Sequence, residues 1–157
     1  MPIGCGATLI SSQYALTAAH CVVRMGQLIT PVSLSSVALG EHDISINDAV
    51  RVPLSEIIPY PKYMCCDDDG NAHEDGHSHY DIAILKLSSP VTFSQNIAPV
   101  CLPAHTMGDH AGKDGVITGW GRTETGHGSP VLKEANVTIL TNKACNAAYG
   151  ATERFIR

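Results

Sequence analysis

The sequence has few aromatic residues and no cluster of positive charge, and both absences limit its function. Aromatic side chains make up 5% of the 157 residues, and there is one tryptophan. Ten Lys and Arg are outnumbered by fifteen Asp and Glu, which gives a formal net charge of −5. Nucleic-acid binding requires basic side chains grouped to neutralise phosphates. We therefore expect no nucleic-acid partner.

Long apolar segments are also missing. A membrane-spanning helix needs about 20 consecutive apolar residues, and no run in the chain approaches that length. The residues before Cys5 contain neither the basic region nor the apolar region of a secretory signal peptide. The sequence predicts no transmembrane segment, no membrane partner and no signal peptide in this chain.

Glycine, proline and short β-favouring runs are what the chain does contain. Its 14 Gly and 9 Pro separate short apolar segments, as is typical of a turn-rich β protein. Seven strands are predicted, over residues 7–10, 14–17, 37–39, 50–54, 82–87, 116–118 and 132–140. One helix is predicted over 142–149, capped by Thr141 and ended by Gly150. The predicted fold class is all-β, a barrel or a sandwich.

Two of these strands differ in how they should be buried. The strand that begins at Asp81 hardly alternates between apolar and polar residues, which predicts burial on both faces. The strand over 132–140 alternates, which predicts one wet face that carries Asn136. The chain is also short for a closed all-β barrel enzyme of about 200–250 residues, so we expect an incomplete domain.

Two residues stand out as candidates for chemistry. His20 follows a predicted strand directly and adjoins Cys21, and Asp81 opens the strand over 82–87. Taken alone, a histidine is more often a surface or core residue, and an aspartate in this position more often caps a turn. A carboxylate at the mouth of a buried strand must nevertheless find hydrogen-bond donors, because its burial is otherwise costly.

Four motifs in one order make these two residues specific. They are Leu-Thr-Ala-Ala-His-Cys at 16–21, Asp-Ile-Ala-Ile-Leu-Lys-Leu at 81–87, Val-Cys-Leu-Pro at 100–103 and Thr-Gly-Trp-Gly at 118–121. Together they resemble the chymotrypsin-like (trypsin-family, S1) serine proteases, with insect clip-domain proteases nearest in character. The resemblance extends from about residue 4 to residue 149, and the acidic segment 65–79 is its least typical part.

The resemblance implies a chymotrypsin-like double β-barrel. About residues 1–100 would form a first barrel that is nearly complete and lacks its opening strand, and about residues 101–157 would form the start of the second barrel. An open second barrel would leave apolar side chains in water and make the isolated chain poorly soluble. The side chains concerned are Val116, Ile117, Val137 and Ile139.

The resemblance also assigns chemical roles. His20 would be the general base and Asp81 the carboxylate that orients it. The family's nucleophile lies in a Gly-Asp-Ser-Gly-Gly motif, and no serine of this chain has those neighbours. The segments for the oxyanion hole and the specificity pocket are absent too, so we expect no peptide hydrolysis by these 157 residues.

Three functions remain open at this point. The first is a secreted serine endopeptidase of which this chain is a part, acting on proteins or peptides. The second is a non-catalytic homologue that binds proteins of a protease cascade. The third, a disulfide-bearing β domain with no link to proteolysis, is disfavoured by the joint occurrence of the four motifs. Retention of both His20 and Asp81 favours the first over the second, because a binding module has no need of them.

The six cysteines indicate an oxidising compartment, hence a secreted protein. By resemblance, Cys5 pairs with Cys21, Cys101 lies where a bridge to a pro-region often forms, and Cys145 has its partner further downstream. Cys65 and Cys66 depart from the family pattern, and their pairing is left open.

No cofactor is implied, but ion and sugar sites are conceivable. Glu41 and Asp43 fall where some family members bind calcium, and carboxylate oxygens suit that ion. Asn136-Val137-Thr138 is an N-glycosylation acceptor that can be used only in the secretory pathway.

The acidic segment offers a further alternative. Its histidines lie among cysteines and aspartates that could bind zinc or copper, although the spacing of a structural zinc site is lacking and a solvated loop explains them equally well. The residues concerned are Cys65, Cys66, Asp67, Asp68, Asp69, His73, His77 and His79.

Overall fold

A computed structural model describes residues 5–24, 26–46, 48–63, 80–104, 108, 110–124 and 126–149. These ranges contain the strands β1 (Thr8–Leu9), β2 (Tyr14–Thr17), β3 (Val23–Arg24), β4 (Gln27–Leu28), β5 (Ser36–Leu39), β6 (Val50–Pro59), β7 (Ala83–Leu87), β8 (Asp114–Gly119) and β9 (Lys133–Thr138), with one α-helix, α1 (Asn142–Tyr149). The prediction of an all-β fold is confirmed. No helix in the described ranges is long and apolar enough to cross a membrane.

The main sheet has five strands in the order β1-β2-β7-β6-β5. Every neighbouring pair is antiparallel, and Leu85 of β7 lies opposite Ala15 of β2 on one side and Ile57 of β6 on the other. The register shifts between Leu54 and Glu56, as at a β-bulge, which bends a strand. The sheet curls into a half-barrel.

Every strand of this sheet contributes to the core. Its buried members are Leu9, Ala15, Val37, Val52, Leu54, Leu85 and Leu87. Strand β7 supplies Ala83, Leu85 and Leu87 to the buried side, whereas Ile84 and Lys86 are only half-buried. The expectation that both faces of this strand are buried was therefore wrong, because its second face is only partly covered.

One glycine has a clear conformational reason. Gly40 ends β5 with a φ of 72°, in the left-handed region that residues with a Cβ rarely adopt. A Cβ built there would lie 3.2 Å from Cγ1 of Ile97. Both the turn and the packing of Ile97 therefore require glycine at this position.

The β8–β9 hairpin pairs six residues on each strand, from Asp114 opposite Thr138 to Gly119 opposite Lys133. All six residues of β9 are exposed, so the expectation of only one wet face was wrong: no described element covers either side of the strand. Val116 and Ile117 of β8 are 60% and 59% exposed, and Val137 and Ile139 are exposed too, which confirms the predicted exposure of these four side chains.

Hydrogen bonds join the segment between β8 and β9 to the loop that follows β5. The indole Nε1 of Trp120 donates to the carbonyl of His42 at 3.1 Å, and the N–H of Leu132 donates to the same carbonyl at 2.8 Å. The N–H of Ile44 donates to the carbonyl of Pro130 at 2.9 Å. Helix α1 follows the hairpin, and the Oγ1 of Thr141 accepts the Ala144 N–H at 3.1 Å, the cap that the sequence predicted.

Candidate active site

His20 lies in a short 3-10 turn, Ala19–Cys21, that directly follows β2. The N–H of Cys21 donates to the carbonyl of Ala18, and the N–H of Val22 donates to that of Ala19. Ala19 is completely buried, whereas the His20 side chain is 59% exposed. The turn therefore anchors the backbone through a small buried residue and leaves the imidazole accessible to solvent.

A disulfide fixes the far end of this turn. Cys21 is bonded to Cys5, with their Cα atoms 6.0 Å apart. The bond ties the histidine-bearing turn to the segment that leads into β1, and the Oγ1 of Thr17 adds a hydrogen bond to the carbonyl of Gly6 at 2.8 Å. Of the other cysteines, Cys101 and Cys145 carry free thiols in the described ranges, and Cys65 and Cys66 lie outside those ranges.

Strand pairing brings Asp81 to His20 across a long stretch of sequence. Strands β2 and β7 are antiparallel, with Thr17 opposite Ala83. The end of β2 therefore lies beside the start of β7. His20 comes three residues after one and Asp81 two residues before the other, so both side chains meet at the same edge of the sheet.

Asp81 makes two short contacts to His20. Its Oδ1 accepts the backbone N–H of His20 at 2.8 Å, and its Oδ2 lies 2.7 Å from the ring Nδ1. The carboxylate is 26% exposed and thus more sheltered than the imidazole. The hydrogen-bond donors that a carboxylate at this position requires are therefore both supplied by a single residue.

These contacts decide which ring nitrogen is free to react. An ionised carboxylate only accepts hydrogen bonds, so the neutral imidazole donates Nδ1–H to Asp81 and keeps a lone pair on Nε2. The Nε2 atom lies 3.6 Å from Sγ of Cys21, a sulfur already engaged in the disulfide and a weak partner. An accessible Nε2 lone pair on an oriented imidazole can remove a proton from a hydroxyl group or from water.

The candidate calcium residues are placed differently from each other. The Oδ1 of Asp43 accepts both the hydroxyl of Ser45 at 2.6 Å and its backbone N–H at 2.9 Å. The Ser45 hydroxyl, followed by its backbone N–H, lowers the pKa of Asp43 from its ordinary value. Neither Glu41 nor Asp43 belongs to a group of three or more potential side-chain ligands within the described part of the chain.

Glu41 instead faces a cavity of about 370 Å³ beside the edge strands β1 and β5. Apolar side chains such as Leu9 and Val37 line much of this cavity, together with Trp120, which directly follows β8. The Oε1 of Glu41 is buried without a hydrogen-bond partner. A buried carboxylate oxygen of this kind favours a neighbouring cation or donor, which is compatible with a hard metal ion.

The remaining sequence predictions concern the glycosylation site, the acidic segment and the serines. Asn136 lies in the middle of the exposed strand β9. The histidines, cysteines and aspartates of segment 65–79 fall outside the described residues. No serine in the described ranges is hydrogen-bonded to the imidazole of His20, whose side-chain contacts are to Asp81 and Cys21.

Two tyrosines beside Asp81 were missed by sequence reasoning. Tyr80 has a φ of 55°, which is rare for a residue other than glycine, and its ring stacks on that of Tyr60 at a centroid distance of 5.2 Å. The signal in the sequence was slight: a tyrosine directly before the candidate aspartate, and another between Pro59 and Pro61.

The chain is similar to known proteins along nearly its whole length. The family model described as Trypsin matches residues 2–157. Proclotting enzyme of Tachypleus tridentatus is 34% identical over 94% of this chain, and Melanization protease 1 of Drosophila melanogaster is 34% identical over 97% of it. Trypsin-1 of Astacus astacus is 36% identical over 96% of the chain.

The chain is shorter than each of these relatives. It covers 39% of the proclotting enzyme, 40% of the melanization protease and 59% of the Astacus trypsin. The similarity thus extends over nearly all of this chain and over only part of each relative.

Proposed function

Because the chain belongs to the trypsin family of serine proteases, we propose that His20 and Asp81 are the general base and the orienting carboxylate of a serine endopeptidase. The observation that carries the proposal is the double contact of Asp81 with His20, to the backbone N–H at 2.8 Å and to Nδ1 at 2.7 Å. This contact presents Nε2 as the proton acceptor, which is what a serine hydroxyl needs in order to become a nucleophile.

The chemistry of the dyad is incomplete in these 157 residues. In the proposed reaction Nε2 of His20 takes the hydroxyl proton of a serine as that oxygen attacks the peptide carbonyl, and later delivers the proton to the leaving amine. The sequence has no Gly-Asp-Ser-Gly-Gly motif to supply that serine. We therefore propose that the chain by itself does not hydrolyse peptides and that its residues contribute to catalysis within a longer protease.

A second function is supported by different observations. A non-catalytic homologue would bind proteins of a protease cascade through its surface, and two relatives are named proclotting enzyme and melanization protease. The exposed apolar side chains of β8 suit protein contact. The intact geometry of His20 and Asp81 favours the catalytic proposal, because binding alone does not require it.

The broader properties follow from the same proposal. We propose that residues 1–100 belong to a first barrel and 101–157 to the start of a second. The protein would be secreted, as the disulfide between Cys5 and Cys21 supports, with protein or peptide substrates. Asn136 would then be available for glycosylation. Proteases of this family need no cofactor.

A structural calcium ion is part of the proposal, and Glu41 carries it. Its partnerless buried Oε1 would gain a ligand bond. Asp43, the other residue predicted for this ion, already accepts two hydrogen bonds from Ser45 through its Oδ1. Calcium should then raise the melting temperature of the wild-type chain but not of Glu41→Gln, with magnesium as the control ion. An equal shift in both proteins would contradict this assignment.

The test of the catalytic proposal uses the complete open reading frame around this segment. The transcript should be sequenced on both sides and its full product assayed for peptide hydrolysis. His20→Ala should lower kcat/KM by about 10⁴-fold or more, whereas His127→Ala, at an exposed histidine that is not part of the pair, should leave it unchanged. Activity of His20→Ala within tenfold of wild type would overturn the proposal. A product with no nucleophilic serine would support the binding function instead.

A further inference from the structure

The backbone around Asp81 is held in an unusual conformation. Tyr80 lies in the left-handed region with a φ of 55°, where a side chain with a Cβ is disfavoured. The N–H of Ile82 donates to the carbonyl of Tyr80 at 2.8 Å, which closes a tight three-residue turn with Asp81 at its centre. The direction in which the Asp81 carboxylate points therefore depends on the conformation of Tyr80. Strained residues of this kind persist only where their surroundings hold them.

Tyr60 supplies contacts that hold this turn from both sides. Its ring stacks on the ring of Tyr80, with centroids 5.2 Å apart and an angle of 15° between the planes. Its backbone N–H donates to the carbonyl of Ile82 at 2.9 Å, one step beyond the pairing of Pro59 with Ala83. Tyr60 thus contacts both neighbours of Asp81 in the sequence, Tyr80 through its ring and Ile82 through its backbone N–H.

We propose that the stack of Tyr60 on Tyr80 positions Asp81 so that both of its oxygens reach His20. The two tyrosines are positioning residues, since neither contacts His20 or the reacting atoms. This inference rests on the proposed role of the His20 and Asp81 pair. It adds that the pair depends on an aromatic contact outside the four motifs that mark the family.

The location of the stack explains why such a contact is useful. Residues 64–79 lie in the sequence between Tyr63 and Tyr80 and are rich in Asp, Gly and His. The N–H of Tyr63 donates to the carbonyl of Tyr60 at 2.9 Å, so the stack stands where this connection leaves and re-enters the sheet. A fixed contact at that point holds Asp81 in place whatever the sequence of the connection.

A purely structural role for the stack makes a different prediction. Each of the two tyrosine residues is 43% exposed, so removal of one ring could change stability slightly and leave the active-site pair unaffected. The measurement must therefore report on the imidazole itself. Nuclear magnetic resonance of the His20 ring distinguishes the Nδ1–H tautomer from the Nε2–H tautomer and gives the rate at which the Nδ1 proton exchanges with water.

The experiment compares three variants of the full chain with wild type. In Tyr60→Ala the Nδ1 proton should exchange about three- to tenfold faster, the factor that corresponds to loss of one aromatic pair, and the Nδ1–H tautomer should lose population. Tyr60→Phe keeps the stacked ring and should restore wild-type behaviour within twofold. Tyr14→Ala removes a tyrosine of similar exposure that is not stacked, and it should have no effect on the His20 ring.

A second variant covers the case in which Tyr60→Ala does not fold. Asparagine tolerates a positive φ but has no ring, so Tyr80→Asn removes the stack without demanding a new backbone conformation, and it should reproduce the faster exchange. If the folded ring-deleted variant exchanges within twofold of wild type, the positioning role is overturned. The Asp81→Asn variant separates the two proposals: if it leaves the His20 ring signals unchanged, the pair itself, and with it the proposed catalytic function, is wrong.

Discussion

Removal of the disulfide between Cys5 and Cys21 should cost a predictable amount of stability. The bond closes a loop with a sequence separation of 16 residues. In the chain-entropy account, a cross-link over a loop of this length disfavours the unfolded state by about 3 kcal/mol at room temperature. The double variant Cys5→Ala/Cys21→Ala should therefore lose about 3 kcal/mol in free energy of unfolding, because the folded sheet keeps its strand pairing while the unfolded chain regains its freedom.

Urea denaturation followed by circular dichroism measures this loss. With a slope of about 1–3 kcal/mol per molar urea, the transition midpoint should fall by about 1–3 M. The matched control is Cys101→Ala/Cys145→Ala, which removes two free thiols and opens no loop, and it should cost less than about 1 kcal/mol. A disulfide-free variant that unfolds within 1 kcal/mol of wild type at an unchanged slope would refute the reasoning.

Three other substitutions test separate features. Ser45→Ala removes the hydroxyl that lowers the pKa of Asp43. A lowered carboxyl pKa stabilises the fold at pH values above the unfolded pKa of about 4, and this stabilisation is lost as the pH falls through the folded pKa. The difference in Tm between wild type and Ser45→Ala should therefore be present at pH 7 and shrink in acid. Leu87→Ala, at a fully buried position, should lower the free energy of unfolding in urea by about 3–5 kcal/mol. Gly40→Ala should lower Tm more than Gly26→Ala, because both glycines have a φ of 72° but only Gly40 has a packed neighbour at the Cβ position.

The contradicting results are equally specific. A Tm difference for Ser45→Ala that grows toward acid would contradict the direction of the Asp43 pKa. Leu28→Ala, at a leucine that is 41% exposed, should lower the free energy of unfolding by well under 1 kcal/mol. If Leu87→Ala lowers it by no more than Leu28→Ala does, the assignment of Leu87 to the core is contradicted. Equal effects at the two glycines would show that the turn conformation alone matters.

The sequence predicts most of the main sheet because its strands carry a clear pattern. The bounds of β2 and of α1 match the prediction residue for residue, since both have distinct boundaries such as the Thr141 cap. Strand β6 was predicted to end at Leu54, but it continues to Pro59. The register shift after Leu54 moves the inward-facing positions from even to odd numbers, so an alternating pattern cannot be followed through it.

Very short strands and distances between residues far apart in the chain could not be predicted from sequence patterns. Strands β3 and β4 have two residues each, too few to show any period. The motifs identified His20 and Asp81, and their proximity could be expected only through the resemblance, because the distance between them depends on strand pairing across a separation of 61 residues. The left-handed conformation of Tyr80 leaves no mark in composition or periodicity, and only the structure reveals it.

The register between β2 and β7 determines both the contact of Asp81 with His20 and the burial of core residues. A slip of one residue would shift Asp81, which lies just before β7, by about 3.3 Å along the direction of that strand, beyond hydrogen-bond reach of the His20 imidazole. If β7 is the strand that slips, the same shift would turn Leu85 out of the core. A misfolded molecule therefore loses the contact between Asp81 and His20 together with its stability.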